Sequence, residues 1–216
     1  MSKLVTIVDY GLGNIFSVSR AIESLGARVQ ITNQPSDLVS ASLLVLPGVG
    51  AFENGMKGLR DRGLIEPLRD YAVSGRPLLG ICLGMQLLVS TSMEFGMHEG
   101  LGIIPGKVMP IEGISVDGTR LKIPHIGWSP LIRPSYRRTW ENTILFGLEE
   151  NSEAYFVHSF AVTPDNEENR LADTYYGGQR ISAAIQAGNN VFGCQFHPEK
   201  SGPLGLHIVQ NFLKCT

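Results

Sequence analysis

At 216 residues, with 43% hydrophobic and 18% charged side chains, the chain has enough apolar material for a sizeable core and reads as one α/β domain over residues 1–216. A net charge of −2 and a pI near 6.2 exclude the basic footprint of a nucleic-acid or anionic-membrane binder. An N-terminal apolar stretch too short for a signal peptide, no run near the roughly 18 apolar residues of a membrane span, and three cysteines without tight spacing (Cys82, Cys194, Cys215) predict a reducing, cytoplasmic setting without disulfides, zinc or cofactor.

Residues 4–8 are a continuous β-branched and apolar run, predicting a buried parallel strand. The turn Asp9-Tyr10-Gly11-Leu12-Gly13-Asn14 follows. Apolar positions Ile15, Val18, Ala21, Ile22 and Leu25 then recur at helical spacing, and Gly26 closes the helix. A second strand is predicted over residues 28–32, a short helix from Pro35, and a third strand over residues 43–46. This β-α-β-α-β series marks a doubly wound parallel sheet. Gly11-Leu12-Gly13 invites comparison with the dinucleotide fingerprint, but the third glycine would fall at Phe16, so the fingerprint fails.

Pro47-Gly48-Val49-Gly50-Ala51-Phe52 lies at the carboxyl edge of the sheet, where open α/β sheets place their sites. Its two glycines free the backbone N–H groups to face a ligand, or to flip. Helical patterns follow over residues 56–60 and 65–73. Then Arg76-Pro77-Leu78-Leu79 leads into Gly80-Ile81-Cys82-Leu83-Gly84, and residues 85–89 read as a helix. A strand, a sharp turn and a helix with Cys82 at the corner form a nucleophile elbow with sulfur in place of oxygen. The flanking glycines suit so tight a turn, and the helix start places N–H groups near Cys82.

Residues 90–96 read as a helix exit and loop. Beyond Gly102 the pattern changes to short β-like runs at 108–111, 121–123, 155–162, 170–176, 182–187 and 191–196, predicting a further, partly antiparallel sheet. The basic segment 133–138 reads as a solvated loop. Residues 203–213 suit an amphipathic terminal helix.

Phe196-His197-Pro198-Glu199 follows a strand, and Pro198 bars a helix through His197. In an extended segment His197 and Glu199 would point to the same side, so a carboxylate can hold the imidazole's tautomer. Cysteine, histidine and carboxylate in that order are an acyl-transfer arrangement.

Gly80-Ile81-Cys82-Leu83-Gly84-Met85-Gln86 together with Phe196-His197-Pro198-Glu199 resembles the class I (triad) glutamine amidotransferases, and the likeness covers nearly the whole chain. Three strings (residues 9–14, 47–52 and 124–128) narrow it to the branch whose glutaminase subunit forms a heterodimer with a (β/α)8-barrel synthase of histidine biosynthesis. The resemblance implies a flavodoxin-like sheet, L-glutamine as substrate, and Cys82, His197 and Glu199 as the triad. It implies an oxyanion hole from the Leu83 N–H and the Gly48-Val49-Gly50 loop. It also implies glutamine contacts from Gln86, Glu94 and the His158-Ser159-Phe160 segment, and a partner face that includes Asn14 and Trp128. Residues 134–150 look longer and more basic-aromatic than the family pattern, which keeps open a paralogous branch that supplies ammonia for amination of a surface-polysaccharide sugar. Two other readings remain. A cysteine-peptidase or chaperone-type hydrolase often carries histidine directly after the elbow cysteine, where Leu83 stands here. A non-catalytic binding module on the same sheet would tolerate loss of Cys82.

Overall fold

The computed structural model describes residues 2–215. The first half alternates as the periodicity requires: β1 (Leu4–Val8), α1 (Ile15–Ser24), β2 (Arg28–Thr32), α2 (Pro35–Ser40), β3 (Leu44–Gly48), α3 (Phe52–Asp61), α4 (Ile65–Val73) and β4 (Leu78–Cys82). β4 runs directly into the short α5 (Leu83–Leu87). The second half contributes β5 (Val89–Ser92), β6 (His98–Glu99), β7 (Ile104–Pro110), β8 (His125–Pro130), β9 (Glu153–His158), β10 (Phe160–Pro164), β11 (Arg170–Tyr176), β12 (Gln179–Ala187), β13 (Val191–Cys194) and the terminal α6 (Gly202–Lys214).

Seven strands form the main sheet in the order β11-β12-β13-β4-β3-β1-β2. The five from β2 to β13 are mutually parallel, and β12 and β11 extend the sheet antiparallel beyond β13. The parallel part has the doubly wound order in which the first strand lies second from the edge. Alternation along each strand divides the core between the two faces. Val5, Ile7, Val45, Leu79 and Ile81 pack with α1 and α6, while Val8, Leu44, Leu46 and Leu78 pack with α3, α4 and α5. A second sheet, β10-β7-β5-β6, and a separate β8–β9 ribbon complete the strands.

Four local readings of the sequence differ from what is observed. The elbow helix ends at Leu87, and Val89–Ser92 is a strand paired in parallel with β7; the residues Val89 and Thr91 are β-branched and gain a ladder there. Residues 121–123 form no strand; the neighbouring pairing is an isolated bridge between Ile114 and Arg120. The run 155–162 breaks at Ser159, so that β9 pairs with β8 and β10 with β7. Finally, β8 itself is hidden in the sequence by Pro124, Gly127 and Pro130.

The elbow dictates its glycines. A side chain at Gly80 would press on the Gly84 backbone, 2.8 Å from its carbonyl oxygen, and one at Gly84 would land inside the Leu46 carbonyl oxygen. Gly84→Ala is therefore expected to destabilise the fold by more than about 4 kcal/mol, since only main chain could give way. A urea midpoint equal to that of the wild type would contradict this packing.

Candidate active site

Cys82 ends β4 at φ 53° and ψ −109°, a left-handed conformation that a β-carbon disfavours. The strain belongs to the corner: the chain turns from the centre of the sheet into α5 within one residue, and the side chain is thrown to the carboxyl edge. Gly48, at the end of β3, is the ladder partner of Cys82. The loop that leaves Gly48 turns at Gly50, with φ +99°, before entering α3 at Phe52. Val49 is partly exposed and Leu83 is buried.

His197 follows β13, the strand on the other side of β4. Its N–H donates to the Tyr155 carbonyl at 3.0 Å. The Ser201 hydroxyl donates to the His197 carbonyl at 2.7 Å and accepts the Tyr155 N–H at 3.0 Å. His197 Nδ1 meets Glu199 Oε1 at 2.8 Å, and both side chains are only 2% exposed. The pairing does not arise from an extended segment, as the sequence suggested. Pro198–Lys200 is a 3-10 turn that swings the carboxylate back beneath the imidazole. Burial lowers the proton affinity of His197, but hydrogen bonding and charge from Cys82 and Glu199 outweigh it and raise the pKa to about 9. Nε2 lies within the influence of Cys82 without a well-formed hydrogen bond to any described residue. The geometry is open at the atom that would exchange a proton.

Cys82 Sγ has two further neighbours, the Val157 carbonyl at 4.0 Å and Gln195 Nε2 at 3.8 Å. Gln195, fully buried, was missed in the sequence. The available signal was its position two residues before His197, which places both on one side of an extended strand end. Gln195 Oε1 accepts from Gln86 Nε2 at 3.0 Å, and the same nitrogen donates to the Phe160 carbonyl at 3.0 Å. Gln86 thus reaches the sulfur's surroundings one turn along α5, with its nitrogen already committed to protein. Glu94 is buried and caps α3: Oε2 accepts the Phe52 N–H at 2.7 Å, directly after the glycine loop.

The 158–160 segment is held by main chain and by an ordered histidine pair. The Ser159 carbonyl accepts the Ile111 N–H at 2.9 Å. His158 Nδ1 lies 2.9 Å from the Phe160 carbonyl, so it must carry the proton. His158 Nε2 is then an acceptor, and its neighbour His125 Nδ1, at 3.1 Å, must donate. His125 Nε2 in turn accepts from the Ser129 hydroxyl at 3.0 Å. With both rings neutral, as burial favours, this one carbonyl fixes both tautomers. Burial pulls the His158 pKa down to about 4 despite the Phe160 hydrogen bond, and a positive charge on His125 or His197 would pull the same way.

β8 directs His125 and Ser129 inward and Ile126 and Trp128 outward. Trp128 is half exposed and sits edge-on against Tyr155, 5.9 Å between ring centroids. That tyrosine's carbonyl holds His197. Asn14 caps α1 through its Oδ1, which accepts the Ser17 N–H at 3.4 Å. Residues 134–150, which looked atypical, serve the fold: Trp140 Nε1 donates to the Leu171 carbonyl at 2.8 Å, and Asn211 Nδ2 donates to the carbonyls of Ile144 and Phe146 at 3.1 and 2.7 Å.

Comparison with known proteins agrees with this layout. Residues 6–215 match the family described as glutamine amidotransferase class-I. The chain is 54% identical over 210 residues to imidazole glycerol phosphate synthase subunit HisH 1 of Legionella pneumophila (strain Lens), covering 97% of this chain and 98% of that one. It is 44% identical over 211 residues to the HisH subunit of Sulfurimonas denitrificans, covering 98% of each. Among solved structures, PurLQS from Thermotoga maritima superposes with a TM-score of 0.73 at 20% identity, covering 99% of both chains, a likeness of fold.

Proposed function

The chain belongs to the class-I glutamine amidotransferase family, and from that premise we propose that it hydrolyses L-glutamine to glutamate and ammonia as the glutaminase subunit of an imidazole glycerol phosphate synthase. The observation that carries the reading is the convergence of Cys82, His197 and Glu199 at neighbouring strand ends in a chain that shares 54% identity with a HisH subunit over nearly its whole length.

In this reading Cys82 attacks the side-chain amide carbon, forming a C–S bond as electrons move onto the amide oxygen. His197 gives its Nε2 proton to the departing ammonia, then takes one from the water that hydrolyses the thioester. Glu199 holds the imidazole with Nε2 toward the sulfur and stabilises its charged form. The Leu83 N–H and one N–H of the 48–50 loop receive the oxyanion, each such donor contributing about 10²–10³ in rate. Gln86, through its remaining amide oxygen, and Glu94 bind the polar end of glutamine, with the 158–160 segment closing the pocket. Because one peptide rotation in a glycine loop makes or removes the oxyanion donor, partner binding sets the rate there.

The partner is a (β/α)8-barrel synthase that joins the ammonia to its nucleotide substrate, yielding imidazole glycerol phosphate and AICAR, in a cytoplasmic heterodimer with lyase activity. Glutamine labelled with ¹⁵N at the amide, supplied to the mixed subunits, is expected to deliver the label to the imidazole product even when unlabelled ammonium is in excess. Equal dilution of the label by that ammonium would refute delivery through the complex. The HisH relatives give no support to the sugar-amination alternative.

Trp128 is read as the anchor of the partner face, since a half-exposed tryptophan seated edge-on against a half-buried tyrosine is the residue type that dominates interfaces. Trp128→Ala is expected to weaken the complex by at least 2 kcal/mol, about thirtyfold in Kd, measured by calorimetric titration. An unchanged Kd would move the interface elsewhere.

A further inference from the structure

Tyr10 is buried, and its hydroxyl has no hydrogen-bond partner among the described residues. Such groups are rare and need a reason. Its surroundings supply one. The ring is wedged among the end of β3, α3 and α5, with its backbone against Gly58 and its hydroxyl against the α-carbon of Gly48. A β-carbon on Gly48 would overlap that hydroxyl, 2.8 Å from Leu83 Cβ and 3.0 Å from Gly84 N. The phenol therefore stands beneath the first peptide of the glycine loop, beside the elbow. Burial pushes its own ionisation upward, and a charge on Cys82 pushes it further, so it stays a neutral donor.

We propose that Tyr10 is a positioning residue for the oxyanion loop: its hydroxyl donates to the Gly48 carbonyl when the 48–49 peptide turns its N–H toward Cys82. The two ends of a peptide point in opposite directions. An orientation that aims the Val49 N–H at the oxygen above the sulfur drives the Gly48 carbonyl inward, where a buried carbonyl needs a donor. Tyr10 is the donor already in place. In the arrangement described above the hydroxyl is unsatisfied, which raises the energy of the resting loop; in the turned arrangement hydroxyl and carbonyl satisfy one another. Tyr10 also sits in the turn between β1 and Asn14, so the segment assigned to the partner face carries the residue that stabilises the turned peptide. This inference rests on the glutaminase reading above and deepens its regulation.

The test is Tyr10→Phe, which removes one oxygen and keeps the ring. With the barrel subunit and its nucleotide substrate present, kcat for glutamine hydrolysis is expected to fall about tenfold, the loss expected when a buried carbonyl loses its donor, while KM for glutamine and Kd for the barrel stay the same. The melting temperature of the free subunit is expected to hold or rise, because the variant deletes an unsatisfied buried group. A stimulated kcat within twofold of wild type would overturn the proposal. So would a drop in kcat accompanied by a lower melting temperature and weaker barrel binding, which would mark Tyr10 as part of the packing alone. A wild-type protein that hydrolyses no glutamine, with or without the barrel, would instead overturn the glutaminase reading itself and this proposal with it.

Discussion

Glutamine hydrolysis by Cys82→Ala is expected to fall to background, a loss of about 10⁶-fold if the triad acts as a unit. The variant keeps the fold. Alanine meets the same left-handed backbone that cysteine meets, and the hydrogen bonds lost are the two long ones to sulfur, at 3.8 and 4.0 Å. The substitution also carries a readout independent of rate. The His197 pKa is raised to about 9 against the pull of burial, by Cys82 and Glu199 together. Removing the sulfur leaves burial with one opponent, so the value must drop, and a ¹⁵N NMR titration of the ring will show it. The sign carries through to stability. A histidine whose folded pKa lies above its unfolded value near 6.5 stabilises the fold fully below that pH and loses the contribution as pH rises through about 9. The alanine variant should lose this alkaline sensitivity in part. An unmoved His197 pKa would show that sulfur and imidazole do not face one another.

Glu199→Gln is expected to lower kcat by about 10³–10⁴-fold at a temperature where the variant remains folded. Glu199 Oε1 is the sole partner of His197 Nδ1 among the described residues, while Oε2 is buried with none and borders a small apolar cavity lined by Val18, Ile22, Val209 and Phe212. A charge so placed is compensated only by the imidazolium. Neutral glutamine keeps the volume but takes one partner from a buried pair, so the melting temperature is expected to fall at neutral pH, and less so above about pH 9, where the imidazolium is lost in any case. It can present either an oxygen or an NH₂ group to Nδ1, and neither stabilises the cationic ring. The His197 pKa should fall as it does in Cys82→Ala, through the other of its two supports. Activity within tenfold of wild type would remove Glu199 from the triad.

The contrast between those two residues and Gln195 shows what a sequence can reveal. The elbow was legible because a turn so tight leaves no choice: Gly80 and Gly84 each lie against the other's backbone or against Leu46, and only glycine fits. The parallel half of the sheet was legible for a similar reason. Strands buried on both faces, such as β1 and β3, must be apolar throughout, and periodicity reports that directly. The β8–β9 ribbon was legible only in part: the run from residue 155 read as a strand, but β8 and its pairing did not. One of its faces holds the polar pair His125 and Ser129, and its hydrogen-bonding logic runs through His158, 33 residues downstream of His125. Nothing local marks such a pairing. Gln195 escaped for the same reason, since its role is defined by Gln86 and Cys82, more than a hundred positions away. The carboxylate of Glu199 was identified correctly as the neighbour of His197, but through a 3-10 turn rather than extended geometry.

The most direct test of the account is glutamate release from glutamine by this chain alone and by the chain mixed with an imidazole glycerol phosphate synthase barrel and its nucleotide substrate, with Cys82→Ala as the blank. Slow release by the chain alone, strong stimulation in the mixture and no release from the blank are expected. Full-rate hydrolysis without the barrel would contradict the gated oxyanion loop, and hydrolysis that survives in Cys82→Ala would contradict the triad.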